Sequence, residues 1–261
     1  MITSAHNSKI KLVRDLLTDP KARQESTTFV VEGVRLAEEA LNNQWAVKFA
    51  LWSSQISGRG QQVLQRLRNL QVPVEEISFD LMAKISDTET PQGILLVLAQ
   101  KEWSLPEPAN FLIVLDGVRD PGNLGTILRS ATAFGVQAVV LIKGGVDPLS
   151  PKVMRAAMGA HFRLPIVEMS VAQLVHFCSE QNTPALKILL AEMSSAIPCW
   201  EMDLRQPLAV VIGGEAEGAS QPLVETADEK ILIPMPGGSE SLNAAVAASV
   251  LLYEVMRQRK A

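Results

Sequence analysis

Five short apolar runs each lead into a helical or turn-forming stretch: FLIVLD (Phe111–Asp116), QAVVLI (Gln137–Ile142), ALKILLA (Ala185–Ala191), LAVVIGG (Leu208–Gly214) and KILIPM (Lys230–Met235). Strands apolar on nearly every residue cannot face water on either side, so they belong to a parallel sheet covered by helices on both faces. Ligands of such sheets sit beyond the carboxyl ends of the strands, which assigns the chemistry to the loops that follow. Before Gln100 the alternation is looser. Ile10, Val13, Leu16 and Leu17 have helical spacing, as do Val63, Leu64 and Leu67, while AVKFALW (Ala46–Trp52), VPVEEI (Val72–Ile77) and GILLVLA (Gly93–Ala99) read as strands. This is a small α/β domain. A polar stretch with two prolines, QKEWSLPEPAN, separates the halves. The expected layout is a domain over 1–100, a linker over 101–110 and a second domain over 111–261.

Composition narrows the function. With 261 residues, 47% hydrophobic, the chain has ample material for a packed core. The net charge of −4 falls wholly after residue 105, while the opening segment is mildly basic through Lys9, Lys11, Arg14, Lys21, Arg23 and Arg35. A broad basic field for coating nucleic acid is therefore absent, and with 5% aromatic residues base-stacking platforms are scarce. Two cysteines and three scattered histidines provide no disulfide framework and no metal-ligand spacing. The longest apolar stretch, Ala244–Tyr253, is short of the roughly 18 residues of a membrane span, and the N-terminus lacks an apolar signal core. The expectation is a cytoplasmic protein with neither membrane nor metal partner.

Three loops carry candidate chemistry. In DGVRDPGNLGTILRSATAFG, Asp120–Pro121 is a cap and first-residue pair, so a helix starts there; Leu124, Ile127, Leu128 and Ala131 face the core, and Gly125 and Arg129 share the other face. Taken alone, Arg129 is either a surface ion-pair partner or a functional cation, and Asn123 either a local cap or a site residue. In IGGEAEGAS, Gly213, Glu215 and Gly218 have dinucleotide-fingerprint spacing, but Glu215 replaces the glycine that approaches pyrophosphate and Glu217 adds a second charge. Such a loop suits hydroxyls, amino groups or positive charge rather than phosphate. In ILIPMPGGSESLNAAVAASVLLYEV, Pro234 and Pro236 stop a regular strand, Ser239 or Ser241 is placed to cap the next helix, and backbone between the prolines is open to an adenine edge. That helix is apolar on most faces and must be buried, in part against another subunit.

Together, in this order, the loops resemble the motifs of the SpoU (TrmH) branch of the SPOUT RNA methyltransferases: Asn123, Gly125 and Arg129; Gly213, Glu215 and Gly218; Ile233, Pro234, Met235, Ser241, Leu242 and Asn243. The opening ITSAHNSKIKLVRDL…FVVEGVRLAEEAL is similar to the start of members with an additional N-terminal RNA-binding domain. The resemblance implies a deep trefoil knot, a homodimer, S-adenosylmethionine as cofactor and methyl transfer to a ribose 2′-hydroxyl. It assigns the cofactor to Gly213, Gly214, Gly218, Ile233, Pro234, Met235 and Leu242. Catalysis goes to Arg129, Asn123, Glu215, Ser241 and Asn243. RNA contacts go to Asn7, Lys9, Lys11, Arg35, Lys152 and Arg155, with Glu32 also matching.

A guanidinium with a pKa above about 12 is a poor base, so Arg129 is expected to hold a phosphate while that phosphate or a water takes the proton. Asn123 and Asn243 would orient Arg129 or the ribose, Ser241 would buttress the guanidinium, and Glu215 would steer it or contact the substrate. The additional domain favours ribosomal RNA, most specifically 23S. A transfer-RNA ribose methyltransferase and a non-catalytic RNA-binding or ribosome-assembly factor are the alternatives. A nicotinamide oxidoreductase is disfavoured by Glu215.

Overall fold

The computed structural model describes residues 1–142, 144–195, 197–215, 217–238 and 240–260. It comprises two compact units, Met1–Glu102 with Asp147–Phe162, and Trp103–Val146 with Arg163–Ala261.

The first unit runs α1 (Ser8–Thr18), α2 (Pro20–Ser26), β1 (Thr28–Glu32), α3 (Val34–Asn42), β2 (Val47–Trp52), α4 (Gly58–Asn69), β3 (Val74–Glu76), α5 (Phe79–Ile85) and β4 (Ile94–Ala99). Its sheet has the order β1-β4-β2-β3, with β4 antiparallel to both neighbours and β2 parallel to β3. Side chains alternate across it. Phe29, Val31, Leu96 and Leu98 pack under α3 and α4, against Leu36, Ala37, Leu64 and Leu67. Val30, Leu51, Leu95 and Val97 pack on the other face against Ile10, Val13 and Leu16 of α1 and Leu81, Met82 and Ile85 of α5. Strand β1 is additional to the three expected strands, its run FVVE being too short to separate from the helix beginning at Val34.

The second unit begins with β5 (Phe111–Asp116), α6 (Pro121–Ala133) and β6 (Ala138–Ile142); helix α7 (Pro151–Ala157) belongs to the first unit. There follow β7 (Ile166–Met169), α8 (Val171–His176), β8 (Lys187–Ala191), β9 (Leu208–Gly213), α9 (Gln221–Thr226), β10 (Glu229–Ile231) and α10 (Ala244–Lys260). All six strands pair in parallel in the order β10-β8-β9-β5-β6-β7. Leu112, Val114, Val140, Ile188, Leu190 and Val211 pack with Leu174, Phe177 and Leu223 on one face. Ile113, Leu115, Val139, Val210 and Ile212 are buried on the other, where α10 packs on β9 and α6. The expected doubly covered parallel sheet is present, with two corrections. Edge strand β7 is a sixth strand, only partly buried and so without a continuous apolar signature. Strand β10 ends at Ile231 instead of Met235, because Pro234 cannot supply a ladder donor. Among the described residues no helix is long and apolar enough to cross a membrane.

Residues 147–162 are fastened into the first unit by polar contacts. Arg23 is 3% exposed; its Nε and Nη2 donate to Asp147 Oδ2 at 2.7 and 2.6 Å, and its Nη1 to the Leu16 carbonyl. Trp45 Nε1 donates to the Phe162 carbonyl at 3.2 Å, and the two rings meet edge to face. His161, 1% exposed, lies 2.7 Å from the Pro148 carbonyl through Nε2; burial pushes its pKa down to about 4, against the pull of that carbonyl and of Asp147.

Asp147→Ala leaves a buried guanidinium without its counter-charge, and about 3 kcal/mol of stability in the first unit is expected to go, read as loss of hydrogen-exchange protection in α1 and β1. His161 is neutral when folded and readily protonated when unfolded. Its contribution is therefore complete above about pH 6.5 and declines as pH falls toward 4, a slope that His161→Gln is expected to flatten in urea titrations.

Candidate active site

The site is built where β9 leaves the sheet. Gly213 passes so close to the next turn that a β-carbon on it would overlap the amide nitrogen of Ala219 and the carbonyl carbon of Gly218. A β-carbon on Gly214 would lie 2.5 Å from the Gly117 carbonyl oxygen, at the end of the neighbouring strand β5. Only glycine permits both approaches. The 214–218 turn closes on itself through paired backbone bonds of 3.0 and 3.1 Å, and the buried Asp116 carboxylate accepts from Ser220 N at 2.6 Å. Two strand-end loops are thereby locked side by side.

This crossing delivers Glu215 to the first turn of α6. Asp120 caps that helix, accepting from Asn123 N at 2.7 Å, so the Asn123 side chain is free for other work. Asn123 Nδ2 donates to Glu215 Oε1 at 2.7 Å, and Asn243 Nδ2 donates to Asn123 Oδ1 at 2.9 Å. The relay orients both amides. Partial burial opposes ionisation of Glu215, but the hydrogen bonds from Asn123 and from the backbone of Glu215, Arg119 and Asp120 outweigh it and hold the carboxyl below its usual range.

Asn243 has a second task. Its Oδ1 accepts from Ala245 N and Val246 N at 2.9 and 3.3 Å, which caps α10. This corrects the expectation for Ser239 or Ser241: Ser241 does not cap α10, and Ser239 lies outside the described residues. Asparagine caps as well as serine, and Asn243 lies directly before the helix, so the two serines were not the only polar residues able to cap it.

A pocket of about 450 Å³ opens beyond the carboxyl ends of β8, β9 and β10. Of the seven residues expected at a cofactor, Gly213, Gly214, Gly218, Ile233, Met235 and Leu242 line it, whereas Pro234 does not. Glu215, Ser241 and Asn243 line it as well. Sequence reasoning missed Glu192, Met193 and Ala247 in its wall. The position of Glu192 and Met193 directly after an apolar strand was the signal available for them. Glu192 pairs with Lys230 at 2.8 Å, and that contact, against partial burial, keeps its carboxyl below the ordinary range.

Arg129 stands apart from the relay. It is exposed on α6 and has no hydrogen bond or ion pair among the described residues. Among the described residues neither Ser241 nor Glu215 bonds to it: Glu215 bonds to Asn123 and to backbone, and Asn243 to Asn123 and to backbone.

The residues expected at RNA divide in two. Asn7 caps α1 by accepting from Lys9 N, Lys9 is engaged by Glu75 and lies 5.1 Å over the Phe49 ring, Glu32 accepts from Asp87 N and Thr88, and Arg155 pairs with Asp87 at 2.5 Å. Lys11, Arg35 and Lys152 are exposed and unpaired among the described residues.

Asn243→Ala is expected to cost about 1 kcal/mol by removing the α10 cap, while Asn243→Asp keeps that stability because a carboxylate caps as well. Urea unfolding of the two variants reads the difference.

Residues 110–253 match the SpoU rRNA Methylase family, and residues 7–96 match the MRM3-like substrate binding domain. The chain is 34% identical to the 23S rRNA (guanosine(2553)-2′-O)-methyltransferase RlmP of Bacillus subtilis, covering 97% of this chain and 98% of that one. It is 30% identical to the 23S rRNA (uridine(2479)-2′-O)-methyltransferase of Streptomyces viridochromogenes, covering 98% and 92%. The crystal structure of the SpoU methyltransferase AviRb from that organism, in complex with the cofactor AdoMet, superposes with a TM-score of 0.88 at 26% identity, over 97% of this chain and 99% of that one. With its second unit matched almost end to end, the chain belongs to the SpoU rRNA methylase family.

Proposed function

We propose that this protein methylates a ribose 2′-hydroxyl of 23S ribosomal RNA using S-adenosylmethionine. The observation that carries the reading is the pocket at the strand ends, walled by Glu215 and Asn243 of the Asn123–Glu215–Asn243 relay. Its lining fits the cofactor: the close-packed glycine turn leaves backbone groups at the wall, Ile233, Met235 and Leu242 supply apolar surface, and Glu192 and Glu215 place carboxylates beside a cation. Bound there, the cofactor supplies an electrophilic methyl group on a positively charged sulfur.

The chain's own residues have to hold the acceptor oxygen in line and let its proton go. Arg129, unpaired among the described residues and permanently charged, binds the phosphate beside the acceptor ribose, and that phosphate or a water receives the proton. Asn123 and Asn243 present fixed amides to the ribose. Glu215 holds Asn123 in one orientation.

Ribosomal RNA is favoured over transfer RNA by the match of the first unit to a substrate-binding domain and by the 23S enzymes among the relatives. Those relatives are named for a guanosine and a uridine, so membership of the family does not select the base. A homodimer in the cytoplasm belongs to the same reading. Val246, Val250 and Tyr253 are 48%, 38% and 51% exposed along one stripe of α10, next to Phe134, and a second copy would cover them. The strand order β10-β8-β9-β5, with α10 packed on α6, supports the knotted path.

Radiolabelled S-adenosylmethionine and a 23S transcript test the reading. Arg129→Ala is expected to lower kcat by about a hundredfold or more with cofactor affinity unchanged. Asn243→Asp, which keeps the α10 cap, is expected to lower turnover by about tenfold, because a carboxylate cannot donate to Asn123. Normal turnover in Arg129→Ala would remove the assignment.

A further inference from the structure

A second pocket, of about 250 Å³, lies in the first unit, far from the relay in sequence and not part of it. Three separate stretches form it: the β1–α3 junction, the 88–92 loop and α7 with its C-terminal residue Met158. Its walls are held in place. Glu32 accepts from Asp87 N at 2.9 Å and from the Thr88 hydroxyl, and Gln92 Oε1 accepts from Val34 N at 2.8 Å. The loop is thus tied down across the start of α3.

Glu32 and Asp87 are already engaged, while Glu89 in the same loop is exposed. Both Glu32 oxygens bond to the loop, and Asp87 binds Arg155 at 2.5 Å. Arg35 remains exposed and unpaired among the described residues, beside the half-neutralised Arg155, with the exposed Lys152 one turn earlier on α7. Arg35 and Lys152 are the cations here that no carboxylate holds among the described residues. Leu36 and Met158 add apolar surface to the lining, and Thr90 adds a hydroxyl.

The volume is just under the roughly 300 Å³ at which drug-sized ligand sites begin, a size that suits one planar base. Proteins that read single-stranded RNA take unpaired bases out of the strand and satisfy their edges by hydrogen bonds. We propose that this pocket receives one unpaired nucleotide of the RNA substrate, its phosphate on Arg35 and Arg155 and its base on Leu36 and Met158. This rests on the chain acting on RNA. It adds a nucleotide-sized recognition site remote in sequence from the methyl-transfer residues.

The test uses the full chain with a short fluorescein-labelled single-stranded RNA pool and a duplex of the same length. Arg35→Glu removes the phosphate contact, and Thr90→Trp fills the pocket from an exposed position without changing charge. Each is expected to weaken single-strand binding about tenfold, with Thr90→Trp leaving duplex binding unchanged. Calorimetry with S-adenosylmethionine is expected to be the same in all three proteins. Wild-type affinity for single strands in Thr90→Trp, or equal loss for single strands and duplex in that variant, overturns the pocket assignment. Failure of the wild-type protein to bind S-adenosylmethionine would instead undo the methyltransferase reading, which separates the two failures.

Discussion

The second unit depends on a backbone crossing that tolerates no side chain. Gly213 lies against Gly218 and Ala219, and Gly214 against the Gly117 carbonyl, so the loops after β5 and β9 share one volume. Asp116 ties the same two loops through Ser220 N. Because the loops cannot separate, Glu215 meets Asn123, Asn123 meets Asn243, and the N-terminus of α10 is fixed to the N-terminus of α6. The same crossing forms one wall of the pocket. A strand-end contact therefore sets both where a cofactor would lie and how the amides beside it are turned.

In the first unit the comparable constraint is the buried Arg23–Asp147 pair. Residues 147–162 lie in sequence between two strands of the parallel sheet, yet pack with the N-terminal sheet and helices. The basic residues proposed for RNA consequently come from both halves of the chain, Arg35 from α3 and Lys152 and Arg155 from α7. A neutral overall charge in the first half is compatible with this. Lys9 is committed to Glu75 and Arg155 to Asp87, while Lys11, Arg35 and Lys152 are unpaired among the described residues.

Much of the fold was legible because its signals are local. Continuous apolar runs marked the core strands, Asp120–Pro121 marked the start of α6, and Leu124, Ile127, Leu128 and Ala131 lie buried as their spacing required. What escaped reading depends on distant partners or on weak local contrast. The half-exposed β7 lacks an apolar run, β10 is cut short by a proline, and the cap of α10 is Asn243 where a serine was expected. The loop glycines showed an unusual turn, but the clash that makes Gly214 necessary involves backbone at the end of another strand. The relay shows the same limit. Its members could be named from the resemblance, while the exclusion of Arg129 and Ser241 from the hydrogen-bonded group needed coordinates.

The most direct measurement is titration calorimetry of S-adenosylmethionine into the wild-type protein and Gly213→Ala, with far-UV circular dichroism on both and a nicotinamide dinucleotide as control ligand. Saturable binding to wild type, weakened by about tenfold or more in a folded Gly213→Ala, is the predicted result. Equal affinity in the two proteins, or binding of the nicotinamide dinucleotide alone, would contradict the account.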